Sequence, residues 1–372
     1  MFQKYRSLFF SLLCLLLALA GYFYAQRQPV LFLPSNTDLA DPSRYAFLTE
    51  SDAAAALVVD MREKRYFGRL ALPSIARHSS IAAHSASLAI GNQQELFVQN
   101  LRDGSRKHIR LSENIDALAG AHDKLALRAG KSFLLYSLPE LKPLSSIELD
   151  SRSISLHYAD LQSRWLAVEQ PPAIVLYEHN LERIALPYAH ISPAALSPDN
   201  RFLAFQAQNA AGQGFAVIWS LENQEILRSE PLAAPSLRPL IDNRNEFIYF
   251  VDTKGKGLQF STKDLNAAPR RFDSLENAQD IALGFLETRL IVRNADSLVL
   301  IDSGSLQTLA RLSLAEKGQG LFVSADSKTV LIGGQQQLFS LQLPRNQLSS
   351  IALPEAIQMR DMFMGAGNRL CH

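Results

Sequence analysis

Cysteine is nearly absent: 372 residues carry two, Cys14 and Cys371. They are not placed as an internal disulfide, a C-x-x-C pair or a zinc-ligand set, which excludes a disulfide framework. Charge of one sign is missing too. The net charge is +1, and no basic stripe marks a nucleic-acid surface, so nucleic acid is excluded as a partner. Signatures of catalysis are also lacking. There is no G-x-S-x-G elbow, no H-E-x-x-H, no G-x-G-x-x-G after a strand and no C-x-x-C-H. Gly130-Lys131-Ser132 approaches a phosphate loop but lacks the earlier glycine, and it reads as a polar hairpin turn. The histidines show neither H-x-H nor H-x-x-x-H spacing. Asp60, Asp302 and Asp326 fall in turns, where aspartate accepts local backbone hydrogen bonds. The expectation is no cofactor, no metal and no catalytic residue.

What is present begins with an apolar N-terminus. Residues 1–28 hold Lys4, Arg6 and Arg27 and no acid, so they carry +3 and the remainder carries −2. The nineteen residues 7–25 after Arg6 carry no charge. As a helix they span about 28 Å, enough for a hydrocarbon core. Lys4 and Arg6 belong on the cytoplasmic side, which sends the rest across. Ala18-Leu19-Ala20 also fits a signal-peptide cleavage site, so anchor and cleaved signal both stand. The expected location is the cytoplasmic membrane, single-pass, with the bulk in the periplasm; the alternative is soluble periplasmic protein after cleavage. Residues 29–43, with three prolines, read as a linker.

A repeat fills the rest. An apolar strand recurs as "ALVVDM", "ELFVQNL", "SFLLYSL", "AIVLYEH", "FAVIWSL", "GLQFSTKDL", "SLVLIDS" and "QLFSLQL". These start at 56, 95, 132, 173, 215, 257, 297 and 337, steps of 37 to 42 residues. A short strand follows each after a polar turn, a more buried one precedes it, and a small-residue strand comes before that. Four short strands per period of about 40 residues make a propeller blade. The first unit lacks its own inner strand, and "MRDMFMGAGNRL" at 359–370 is a spare one. The expected fold is all-β: an eight-bladed β-propeller over 44–370, closed by this C-terminal strand and preceded by one N-terminal hydrophobic helix. Seven blades is the alternative, should the unit near 257–275 depart from the pattern.

"LSPDNRFLAF" (196–205), followed by "FAVIWSLENQEIL", resembles the blades of WD-repeat and YVTN-type bacterial propellers, and "LVVDMREKRYFGRLALP" resembles their turn and outer strand. Asn200 stands where those families carry Gly, and Trp219 is followed by Ser220 rather than Asp. The resemblance concerns architecture. Such propellers serve as interaction platforms, as lactone or peptide hydrolases and as electron-transfer subunits, and some eight-bladed ones bind haem. Fold alone does not choose among these.

The loops leading into the inner strands line one mouth of a propeller's channel. Here they hold Arg77, His78, Arg152, His190, Arg238, Lys317 and Arg360, with Glu113 and Asp280 as the acids nearby. Cations on a concave surface focus field and attract an anionic ligand or acidic peptide. The favoured reading is a non-enzymatic protein-interaction scaffold that binds an acidic protein partner. The alternative is a propeller enzyme, a hydrolase or a haem-associated redox subunit, with its site at the mouth.

Overall fold

In the computed structural model the described residues are 31–41, 44–82, 85–121, 123–148, 152–159, 164–177, 180–324 and 326–364. The N-terminal apolar segment and residues 365–370 lie outside them. Among the described residues the only helical element is the 3-10 turn Leu343–Arg345, and no helix is long and apolar enough to cross a membrane.

The strands form eight antiparallel sheets, so the chain is an all-β, eight-bladed propeller. Blade 1 contains Tyr45–Glu50, Ala55–Asp60 and Arg65–Ala71. Blades 2 to 8 run over 78–110, 115–148, 152–185, 190–232, 240–273, 280–313 and 319–352. The unit near 257–275 supplies the two outer strands of blade 6, Lys256–Ser261 and Arg270–Asp273, so it keeps to the pattern. Met359–Met364 pairs antiparallel with Tyr45–Glu50, Phe47 opposite Phe363, and takes the innermost place in blade 1.

Burial follows from this stacking. Tyr45–Glu50 and Ala55–Asp60 are buried throughout, because neighbouring blades cover both faces. The outermost strands Pro143–Glu148 and Thr308–Ser313 alternate instead, since one of their faces meets water. Blade-to-blade cores repeat around the ring. Leu166, Val168 and Ile174 of blade 4 pack on Leu203, Phe205 and Trp219 of blade 5. Each such side chain contributes about 1.5–3 kcal/mol by leaving water.

The turn in "LSPDNRFLAF" is the recurring corner. Ser197 Oγ donates to Asp199 Oδ1 (2.7 Å) and accepts from Phe202 N (2.8 Å). Asn200 takes the left-handed φ of 57° that asparagine tolerates. Blade 8 repeats the device: Ser324 Oγ donates to Asp326 (2.5 Å), Thr329 N donates to Ser324 Oγ (3.0 Å), and Ser327 has φ 61°. In blade 6 Asp242 Oδ1 takes the hydroxyl's place, accepting from Glu246 N and Phe247 N, with Asn245 at φ 56°. Asp60 and Asp302 accept backbone N–H groups two and three residues on, as their turn positions predict. Gly130, at φ 54°, turns the hairpin between Lys124–Ala129 and Ser132–Ser137.

Residues 31–41 lie along the outer rim. Leu33 N donates to Arg69 O (2.9 Å) and Arg69 N to Leu31 O (2.8 Å), a parallel pairing with the outer strand of blade 1. Leu39 then inserts beside Tyr45 and Leu101. Part of the stretch that reads as a linker is therefore seated on the propeller.

Candidate functional site

Each blade runs its inner strand in the same sense, so the starts of these strands share one mouth of the channel. Arg77 precedes His78–Ala82 by one residue, and His78 opens it. Arg152 opens Arg152–Ala159 and His190 opens His190–Ile191. Arg238 and Lys317 stand two residues before Leu240–Ile241 and Gln319–Val323. Arg360 is the second residue of Met359–Met364. All seven positions fall at the same end of their blades, but they do not gather into one cluster.

Arg77, His78 and Arg360 come together where the C-terminal strand meets blade 2. Arg360 Nη2 donates to the carbonyl of Arg77 (3.1 Å). His78 is half-buried, and its pKa is pushed below the usual histidine range, first by burial and then by the Arg360 charge. Asp116 and Asp361 pull the other way. Ser79 Oγ donates to Asp361 Oδ2 (2.7 Å), and Asp361 N donates to Thr49 Oγ1 (3.1 Å), which joins the C-terminal strand to both neighbours. A cleft of about 450 Å³ opens here, lined by Ser51, Ala76, Arg77, Asn92, Gln93 and Arg360.

Arg238 sits on the other side of the ring. Its Nε donates to Ala194 O (2.9 Å) across the blade 5–6 boundary. The side chain reaches solvent but has much of the protein packed around it. Burial lowers its pKa and Asp280 opposes that. Asp280 is itself pushed up by burial, against the pull of Arg293 and Arg238. Arg293 is buried, and its Nη1 donates to Gln279 (2.9 Å) and Gly318 O (2.8 Å). His190 Nδ1 faces the Gln170 amide at 3.4 Å. Lys317 is exposed. Arg152 is placed by its backbone, opposite Gln170.

The mouth is therefore less uniformly positive than the loops alone suggest. Asp116 and Asp361 join Glu113 and Asp280; they sit inside the inner strands Ile115–Ala121 and Met359–Met364, where nothing in the sequence marks a carboxylate as part of the mouth. Ser51, Asn92 and Gln93 were also missed. They are neutral turn residues from separate segments, and no motif marks them. Among the described residues no group of three or more His, Cys, Asp or Glu is arranged to hold a metal ion.

No known protein family matches the chain, and no curated protein matches it in sequence. Solved structures do. One is a dihydro-haem d1 dehydrogenase, NirN, in complex with DHE: TM-score 0.72, 13% identity, covering 90% of this chain and 78% of that one. Another is apo AztD from Citrobacter koseri: TM-score 0.65, 10% identity, 86% of this chain and 96% of that one. At such identities the likeness concerns the fold, a bacterial propeller. With 1632 matching chains, the fold is too widely shared to select an activity.

Proposed function

We propose that this chain is a binding module that presents one mouth of its propeller to an acidic protein partner, without chemistry of its own. It is held at the outer face of the cytoplasmic membrane by its N-terminal segment, or released to the periplasm when that segment is cleaved. The C-terminal strand closes the ring and completes the mouth. One observation carries the reading. Arg77 and Arg360 line one cleft at the same end of the channel and form no ion pair with a described carboxylate, so their charge is available to a ligand. An exposed cation acting alone contributes about 0–1 kcal/mol, so recognition must come from several acting together.

The test uses a fluorescent oligo-glutamate peptide and the intact chain. Binding falls as salt rises, and the Arg77→Gln/Arg152→Gln/Lys317→Gln variant binds more weakly with a flatter salt dependence. Unaltered binding by that variant overturns the reading. For the topology, a reporter active only in the cytoplasm, fused after His372, stays silent.

The likeness to a dihydro-haem d1 dehydrogenase over 90% of the chain favours a second reading, a haem-associated redox subunit. Local chemistry at one point suits it. His78 is held toward its neutral, metal-ligating form, and Arg77 and Arg360 stand beside it to meet carboxylates. A Soret band in the purified protein, abolished by His78→Ala, selects this reading.

A further inference from the structure

The cleft at the closing seam has a lining unlike the rest of the mouth. Its polar groups are the guanidiniums of Arg77 and Arg360, the amides of Asn92 and Gln93, and the Ser51 hydroxyl; no carboxylate lines it. Every one of these side chains can donate a hydrogen bond, and the two charges are both positive. At about 450 Å³ the cleft exceeds a single small ion and lies in the range of small-molecule sites.

The cleft also has a distinctive place in the chain. Ser51 follows the first strand of blade 1, and its N–H donates to Gln358 O at 2.8 Å. Asn92 and Gln93 form the turn between Ser87–Asn92 and Glu95–Asn100 of blade 2. Arg77 is tied to the same hairpin, through its N–H to Gly91 O at 3.0 Å. Arg360 alone belongs to the C-terminal strand. One wall is thus blade 2 and the other is the end of the chain, and each carries an arginine. Both arginines are exposed and line one cleft, and a multiply charged anion can accept hydrogen bonds from two such guanidiniums at once.

We propose that this cleft binds a multiply charged oxyanion, of phosphate or carboxylate chemistry, and that the bound anion latches the C-terminal strand to blade 2. The anion bridges Arg77 and Arg360, so it binds the closed ring and not the ring whose last strand has peeled away. Linkage then requires that it hold the strand in place by a factor of 1 + [L]/Kd. The coupling is reciprocal, so loosening the strand weakens anion binding by the same factor. This inference rests on the mouth being a binding face but not on the partner being a protein.

The strand has a built-in reporter. Phe363 is buried, stacked on Phe47 with ring centroids 5.7 Å apart, so chymotrypsin reaches it only when the strand opens. Cleavage at Phe363 is followed by mass spectrometry on the intact chain, with pyrophosphate or citrate added against sodium chloride of equal ionic strength. The expected result is a slowing of about tenfold at ten times Kd, when cleavage follows the open population. Pyrophosphate and citrate, compared, show whether phosphate or carboxylate chemistry is preferred. Arg77→Gln and Arg360→Gln abolish the slowing, Arg360→Lys keeps part of it, and Arg238→Gln, across the channel, keeps all of it. If Arg360→Gln fails to fold by circular dichroism, Arg77→Gln decides. No slowing by either anion, or equal slowing in Arg77→Gln, overturns the proposal. Oligo-glutamate binding without anion protection sinks this inference alone, and protection without peptide binding sinks only the protein-partner reading.

Discussion

Replacing Glu169 by Gln tests how blades 3 and 4 are joined. Arg128 lies on the second strand of blade 3, Lys124–Ala129, and Glu169 on the second strand of blade 4, Arg164–Gln170. Their side chains are 2% and 0% exposed, with Arg128 Nη1 3.3 Å from Glu169 Oε1. Arg183, from the outer strand of blade 4, reaches the other carboxylate oxygen at 3.3 Å and is a third exposed. Arg128 also donates from Nε to Gly130 O. The carboxylate thus meets at least these two guanidiniums, of which Arg183 is the more exposed.

Glu169→Gln removes the negative charge with little change of shape. Arg183 can turn to solvent, so its share of the loss is below about 1 kcal/mol. Arg128 cannot escape, and a guanidinium does not shed its proton. Removing one member of a buried ion pair costs about 3–5 kcal/mol. At about 2 °C per kcal/mol for a chain of this size, Tm falls by about 6–10 °C. Thermal unfolding followed by circular dichroism measures this directly. The double variant Arg128→Met/Glu169→Leu recovers most of the loss, because apolar side chains of similar volume replace a buried pair at little net cost. A Glu169→Gln protein melting within about 2 °C of the parent would refute the reasoning. So would a double variant less stable than Glu169→Gln.

Three further outcomes follow from other parts of the ring. Asp242 and Glu287, buried at the blade 6–7 boundary, both have pKa values raised by burial above their ordinary 3.8 and 4.5. The folded state therefore binds protons there more tightly than the unfolded chain, and these groups lower stability as pH rises from about those values through the raised folded values. Asp242→Asn keeps an oxygen for the N–H groups of Glu246 and Phe247; it should raise Tm near pH 8 and lose that advantage near pH 4, in a Tm-versus-pH series. Gly104 has φ 71°, and a Cβ there would lie 1.4 Å from Ser35 O; Gly104→Ala should lift the rim segment 31–41 and speed hydrogen exchange at the Leu33 and Leu39 amides, with unchanged exchange counting against that segment being held through Gly104. Deleting residues 356–372 removes the partner of Tyr45–Glu50 and should leave sheet edges that aggregate, seen as turbidity and loss of the monomer peak in size-exclusion chromatography.

The blade repeat is legible in the sequence because every blade solves the same problem with the same residue types. A turn that must place one residue at positive φ selects Asn200, Asn245 and Ser327, and a strand covered on both faces selects an apolar run. The departures have local causes. The inner strand of blade 5 is split into His190–Ile191 and Ala195–Leu196, because Pro193 between them has no N–H to give. Ser192 spans the gap, bonding Gln206 through N–H (2.8 Å) and hydroxyl (3.0 Å). The seating of residues 31–41 was not legible, since it rests on main-chain hydrogen bonds that any sequence supplies. The Arg128–Glu169 pair was equally hidden. Its members are 41 residues apart, one blade period, and nothing in either strand distinguishes a buried charge from an exposed one.

The candidate site was legible only as a list of cations, and their arrangement changes what they can do. Five permanent cations spread evenly around a mouth would give a broad field, with little preference for the shape of what it attracts. The structure instead puts Arg77 and Arg360 at the seam and Arg238 across the channel, the latter opposed by Asp280. Under physiological salt, charges further apart than about 8 Å are largely screened where water lies between them. The two sides therefore present separate fields rather than one ring. The seam has no acid in its lining, whereas on the far side the field of Arg238 is partly spent on Asp280. In the proposed anion site, orientation would be set at the seam, where two guanidiniums can offer paired donors to one oxyanion. Because Arg360 rides on the last described strand, the proposal makes recognition and closure draw on the same few contacts, and it requires that a substitution weakening one weaken the other.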